Sequence, residues 1–158
     1  MKKAFIAGLE NSEKVLRQFV ETMTDDEIKR RIKDYWTIYD HIDHLVVCQK
    51  MLLERIEAFI KEESPVIEPY NPEEKPSEEA SKRTARQLVN EFRKLRAKQI
   101  KLIKGAKKAV WLRKGSHEEY ADYGFEILVR HILLHDSYHM YRMEELWIMK
   151  EHYIKELK

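Results

Sequence analysis

Residues 130–139 read Arg130-His131-Ile132-Leu133-Leu134-His135-Asp136-Ser137-Tyr138-His139, and three of the chain's seven histidines fall in the last nine of these positions. An α-helix turns about 100° per residue, so a step of four advances only about 40°. His135 and His139 therefore stand one above the other on one face of a helix. Setting Leu128 at zero, Phe125, Leu128, Ile132, His135, His139, Met143 and Leu146 all fall within about 80° of arc. The spacing predicts a helix from roughly Tyr123 to Lys150 whose core stripe carries two histidines. His131 lies at about −60°, at the edge of the stripe, and drops out. Two polar rings in a buried stripe cost free energy unless both find partners. Two imidazoles one turn apart can grip a metal ion, and such a grip needs a third donor from another helix.

Working outward, the same periodicity gives three more helices. Phe5, Leu9, Ser12, Leu16, Phe19 and Met23 make one stripe over residues 2–23, interrupted only by Ser12. Thr24 is placed to cap a short turn through Ile28 and Ile32. A second long helix begins near Thr37, where Thr37-Ile38-Tyr39-Asp40 resembles a capping box, and runs to about Glu62. Its stripe is Ile38, Leu45, Leu52, Ile56 and Phe59, and its apolar surface exceeds one stripe around Leu45–Cys48 and Met51–Leu53. A third runs from about Ser77 or Thr84 to Lys104, with Thr84-x-x-Gln87 as a capping box and Gly105 as the C-cap. Leu88, Phe92, Leu95, Leu102 and Ile103 form its apolar side, with Gln99 intruding. Residues 106–122 read as a connection.

All four prolines, Pro65, Pro69, Pro72 and Pro76, lie between Ser64 and Ser77. That stretch reads as an extended crossover along a bundle. Neither half buries its stripe alone, so residues 1–158 form a single domain. The expected fold class is all-α, a four-helix bundle with a long proline-containing crossover.

The 30 basic and 28 acidic side chains leave a net charge of +2, too mild to imply nucleic acid. From 92 to 114 there are ten basic residues and no acidic one, Arg96 and Arg113 among them. A solvated helix face plus loop is the plainer reading, and a basic rim for an anionic ligand the functional one. A single cysteine, Cys48, allows no intrachain disulfide. Flanked by apolar neighbours, it reads as a packed thiol rather than a nucleophile. No apolar run has the length of a signal peptide or a membrane span, so a soluble cytoplasmic protein is expected.

For the third donor, the second helix offers His41, Asp43, His44 and Cys48. With Leu45 at zero, His41 lies at about −40°, within the stripe, and His44 at about −100°, on its flank. Periodicity leans towards His41 or leaves the choice open. Trp36-Thr37-Ile38-Tyr39-Asp40-His41-Ile42-Asp43-His44-Leu45 resembles the tryptophan-to-histidine signature of the DinB/YfiT-like proteins. His135-Asp136-Ser137-Tyr138-His139 resembles that family's second signature, a His-Asp-x-x-His pair. The resemblance extends over essentially the whole chain.

The resemblance implies a four-helix bundle with a metal bound by His44, His135 and His139, and a homodimer. Three neutral imidazoles leave a divalent cation, Zn, Ni, Fe or Mn, at least one open position. Asp40, Asp43 or Asp136 could orient a ligand ring, although for Asp136 a solvated carboxylate is the plainer reading. Family members include thiol-dependent S-transferases, a maleylpyruvate isomerase using a low-molecular-weight thiol, and hydrolases. The expectation is thus a metal-dependent enzyme acting on a small-molecule substrate by thiol-dependent S-transferase-type chemistry. A metal-dependent hydrolase and a non-catalytic metal-binding stress-response protein are the alternatives.

Overall fold

The computed structural model describes residues 2–70 and 82–155. Four long helices build it: α1 (Lys2–Thr22), α3 (Ile38–Lys61), α4 (Ala85–Gly105) and α6 (Phe125–Ile148). Short helices α2 (Asp25–Lys29) and α5 (Lys108–Trp111) lie in the connections. α1 packs against α4 and α6, and α3 packs against the same two, so α1 and α3 stand across the bundle from each other.

Three helix starts are written in the local sequence. Thr24, Thr37 and Thr84 each accept a hydrogen bond from the backbone N–H three residues on. Glu27, Asp40 and Gln87 each reach back to the cap residue's own N–H. Such caps satisfy backbone donors that the helix leaves open. The far end of α4 differs from expectation. Gly105 is the last residue inside the helix, Ala106 takes the cap, and no glycine has a positive φ among the described residues.

Residues 106–122 are more than a connection. They hold α5 and most of a hairpin of β2 (Lys114–His117) and β3 (Tyr120–Gly124). The prolines' loop adds β1 (Val66–Ile67), parallel to β2, which gives a three-stranded sheet on the helical body. The sequence of β2, Lys-Gly-Ser-His, has no apolar alternation from which to read a strand. One of its two partner strands comes from about 50 residues earlier in the chain, as Val66 pairs with Ser116. Pro65 and Pro69 lie in the described part of the expected crossover, whereas Pro72, Pro76 and Ser77 lie outside the described residues.

The core is divided in two. One cluster gathers Leu16, Val20, Ile38, Ile42, Leu45, Val46, Leu88, Phe92, Met143 and Leu146. The other gathers Leu9, Cys48, Leu52, Ile56, Phe59, Ile103, Phe125, Leu128 and Ile132. Between them every long helix contributes buried polar residues: Ser12 from α1, Gln49 from α3, Arg96 and Gln99 from α4, and Asp136 from α6.

This layer is fully bonded. Arg96 lies 2.7 and 3.1 Å from the two Asp136 oxygens, and donates to Gln49 Oε1, Ser12 and Gln99 at 2.9–3.0 Å. Gln99 donates to the Gln49 carbonyl at 3.0 Å. Arg96 and Asp136 are each 1% exposed, which corrects both the solvated reading of Asp136 and the placing of Arg96 on a basic surface. A buried charge is tolerated only when paired and hydrogen-bonded. Since Asp136 faces the bundle axis, His135 one residue earlier is turned about 100° from it, towards α3.

Candidate metal centre

Four imidazoles and one thiol meet where α3 and α6 pack together. His44 Nε2 and His135 Nε2 are 3.3 Å apart. His41 Nδ1 and His139 Nδ1 are 2.9 Å apart, one donating and the other accepting. Ring centroids of His44 and His135 lie 4.6 and 4.5 Å from that of His139. Cys48 Sγ lies 3.3 Å from His44 Nε2, and donor atoms of His44, Cys48 and His135 all fall within 4.8 Å of one another.

Helical spacing explains the arrangement. His135 and His139 are one turn apart on α6, and His44 and Cys48 one turn apart on α3, so two pairs face each other. His41, a turn before His44, meets His139. Both histidines between which periodicity could not choose thus belong to one cluster. Their roles differ: His44 faces His135, whereas His41 holds the outer edge of His139. When His139 donates from Nδ1, its Nε2 keeps a free lone pair, the tautomer that a neighbouring acceptor ordinarily enforces on a ligand histidine.

All four rings are held neutral, mainly by burial. His139 is pushed down to about 2, with His135 adding to the effect, and His135 to about 3, with His44 adding. His41 falls to about 4, the nearby Arg142 charge reinforcing burial, and His44 is lowered by burial alone. Burial pushes the Cys48 thiol up to about 12, against a smaller opposing hydrogen bond from Tyr70. Neutral imidazole is the metal-binding form. In a tetrahedral site with nitrogens about 2.0–2.1 Å from the ion, neighbouring nitrogens lie about 3.3 Å apart. The His44–His135 separation already matches this. His135 Nδ1 is buried without a partner among the described residues. The donor set therefore fits a cation such as a divalent transition metal.

The expected carboxylate partners are engaged elsewhere. Asp40 caps α3 and pairs with Arg31 at 3.3 Å. Asp43 is buried against Arg83 at 3.4 Å, and burial raises its pKa. Asp136 belongs to the polar layer. His41, a histidine rather than a carboxylate, supplies the supporting contact. His131 turns instead to the small sheet, where its ring meets Tyr120 at 5.9 Å.

Trp36 lies over the cluster, nearly parallel to the His139 ring at 15° and 6.2 Å between centroids. A hollow of about 320 Å³ opens beside it, reaching His41 and His139. Tyr138 lines this hollow; Tyr141 does not. A second hollow of about 440 Å³ lies between α3 and the β1 segment, with Tyr70 on its wall. Only the smaller one reaches histidines of the cluster, and we regard it as the approach to the site. The basic stretch belongs elsewhere. Arg113 caps the end of α3 through the Phe59 and Ile60 carbonyls, and Lys104 pairs with Glu10.

A mostly helical bundle with facing histidine pairs on α3 and α6 is a class of protein in which helix-borne imidazoles converge on one point. The family model of the DinB superfamily matches residues 9–143, and the chain belongs to that superfamily. Among solved structures it is similar to YfiT from Bacillus subtilis, described as a probable metal-dependent hydrolase with an unusual four-helix bundle topology. The TM-score is 0.82 at 22% identity, over 92% of this chain and 85% of that one. Identity at that level speaks to the fold. No curated protein matches the chain.

Proposed function

We propose that this protein is a metal-dependent enzyme whose divalent ion is held by His44, His135 and His139, with His41 orienting His139. The observation that supports this most is the convergence of neutral imidazoles, buried at His41 and His139 and half-buried at His44 and His135, from two helices beside a hollow, with no carboxylate among them. Such an ion would lower the pKa of a water or thiol bound at its remaining position. The protein's own part is to keep the rings neutral, to fix the His139 tautomer through His41, and to shield the site with Trp36. Cys48 belongs to the converging donors as a thiol, within 4.8 Å of those of His44 and His135; if it took the fourth position, the site would be closed and structural rather than open and catalytic.

Thiol-dependent S-transfer is the first reading of the reaction, a chemistry found among members of the family that the two signatures resemble. Metal-dependent hydrolysis is the second, favoured by the likeness to YfiT. Zinc, nickel, iron and manganese measured in the purified protein, beside His44→Ala, His135→Ala and His139→Ala, test the site. Each substitution is expected to empty it; full occupancy in any one of the three overturns the assignment. Turnover by the metal-loaded protein with glutathione or bacillithiol and an electrophile, against turnover of esters and amides in water, separates the two reactions.

A further inference from the structure

Arg142 follows His139 by three residues on α6, and its side chain is only 8% exposed. Its Nη1 is held by Glu145, while its Nε and Nη2 have no partner among the described residues. Arg142 lines the 320 Å³ hollow that reaches His41 and His139. A guanidinium edge without a protein partner is free to take an acceptor that enters the hollow. The Nε–Nη2 edge presents two parallel donors, the geometry that a carboxylate accepts in bidentate fashion.

The charge around the hollow points the same way. The histidine cluster holds no carboxylate, and Glu145 is already engaged by Arg142. Asp34, the acid lining the hollow, is on the exposed surface. The walls are aromatic: Trp36 is 42% and Tyr138 47% exposed, so both offer open ring surface. The volume suits a small organic molecule.

We infer that this hollow binds a small aromatic carboxylate, its acid group on the Nε–Nη2 edge of Arg142 and its apolar body against Trp36 and Tyr138. The inference rests on the proposed site in one respect: the far end of the ligand would face the histidine cluster and present its reacting group there.

The test uses phenylacetate and its neutral amide, phenylacetamide, titrated into zinc-loaded and metal-free protein. The Trp36 indole N–H resonance, assigned with Trp36→Phe, reports binding, and zinc content is measured on every sample. Phenylacetate is expected to saturate and the amide not to bind. Arg142→Gln is expected to weaken phenylacetate by about tenfold or more with zinc content unchanged. Glu145→Gln, which leaves Arg142 in place and releases Nη1, is expected to strengthen it. Equal binding of acid and amide, absence of saturable binding to the wild type, or unchanged affinity in both variants overturns the inference. Failure of the wild type to hold zinc overturns the metal reading instead, because the metal-free titration still reads Arg142.

Discussion

Asp136 sits one residue from His135 yet belongs to a different part of the molecule. Its oxygens are held by Arg96 from α4, and both charges are sealed between the two apolar clusters. Removing one partner leaves the other charge buried and uncompensated, a loss of about 3–5 kcal/mol. Asp136→Leu is therefore expected to lower the urea midpoint severely. Asp136→Leu combined with Arg96→Met is expected to recover most of that loss, because an apolar pair of similar size is often neutral or better. A double variant as unstable as the single one would show that the layer's value lies in its remaining hydrogen bonds. The sequence carried a trace of this layer. Ser12 and Gln99 interrupt otherwise apolar stripes, and such interruptions in facing helices mark positions that must satisfy one another. Arg96 and Asp136 were hidden because each lies about 80° from its own stripe's reference leucine, where a charge is ordinarily solvated.

At the scale of elements, the small sheet depends on contacts between distant segments. A Cβ on Gly115 would come within 2.7 Å of the Pro65 carbonyl oxygen and 3.0 Å of the Phe59 ring. Neither backbone nor packed ring yields easily, so Gly115→Ala is expected to cost about 1–3 kcal/mol. Hydrogen exchange should show the loss concentrated in β1 and β2, whose backbones approach there, with α1 and α4 little changed. Uniform loss across the helices would mean that the sheet and bundle unfold together. The four long helices were legible because each shows an apolar stripe and three of the chain's helices carry a threonine cap. The strands were not, because Lys114–His117 owes its extended form to partners at Pro65–Ile67 and Tyr120–Gly124 rather than to its own composition. Trp147, beyond the core stripe of α6, is folded inward, edge-on to Phe19 at 5.5 Å and donating to Glu27.

For the whole molecule, the histidine cluster links stability to pH. In the unfolded chain the rings take up protons near their ordinary pKa of about 6.5. In the folded, metal-free protein His41, His135 and His139 resist protonation until about 4, 3 and 2. Between these limits the unfolded state binds more protons, so stability rises with pH and is lost as pH falls from about 6.5 towards 4 and below. Urea midpoints of the metal-free protein across pH 7 to 4 should fall. His135→Gln with His139→Gln should flatten the slope; an unchanged slope in that variant would place the acid lability elsewhere. Bound metal should hold the midpoint up until protons compete for the rings, because ligands must be deprotonated. No helix among the described residues is long and apolar enough to cross a membrane.

The sequence by itself determined the helices, their caps and the placement of His135 and His139 on a core face, because those follow from interactions within four residues along the chain. The shared signatures pointed to His44 beside them. Only the tertiary structure decided that His41 contacts His139, that Cys48 lies against His44, that Arg96 and Asp136 form a buried pair, and that Arg142 lines a hollow beside the histidines. Each of these depends on which helix faces which and by what rotation. That rotation is set by packing across the whole bundle, and no local pattern of residues records it.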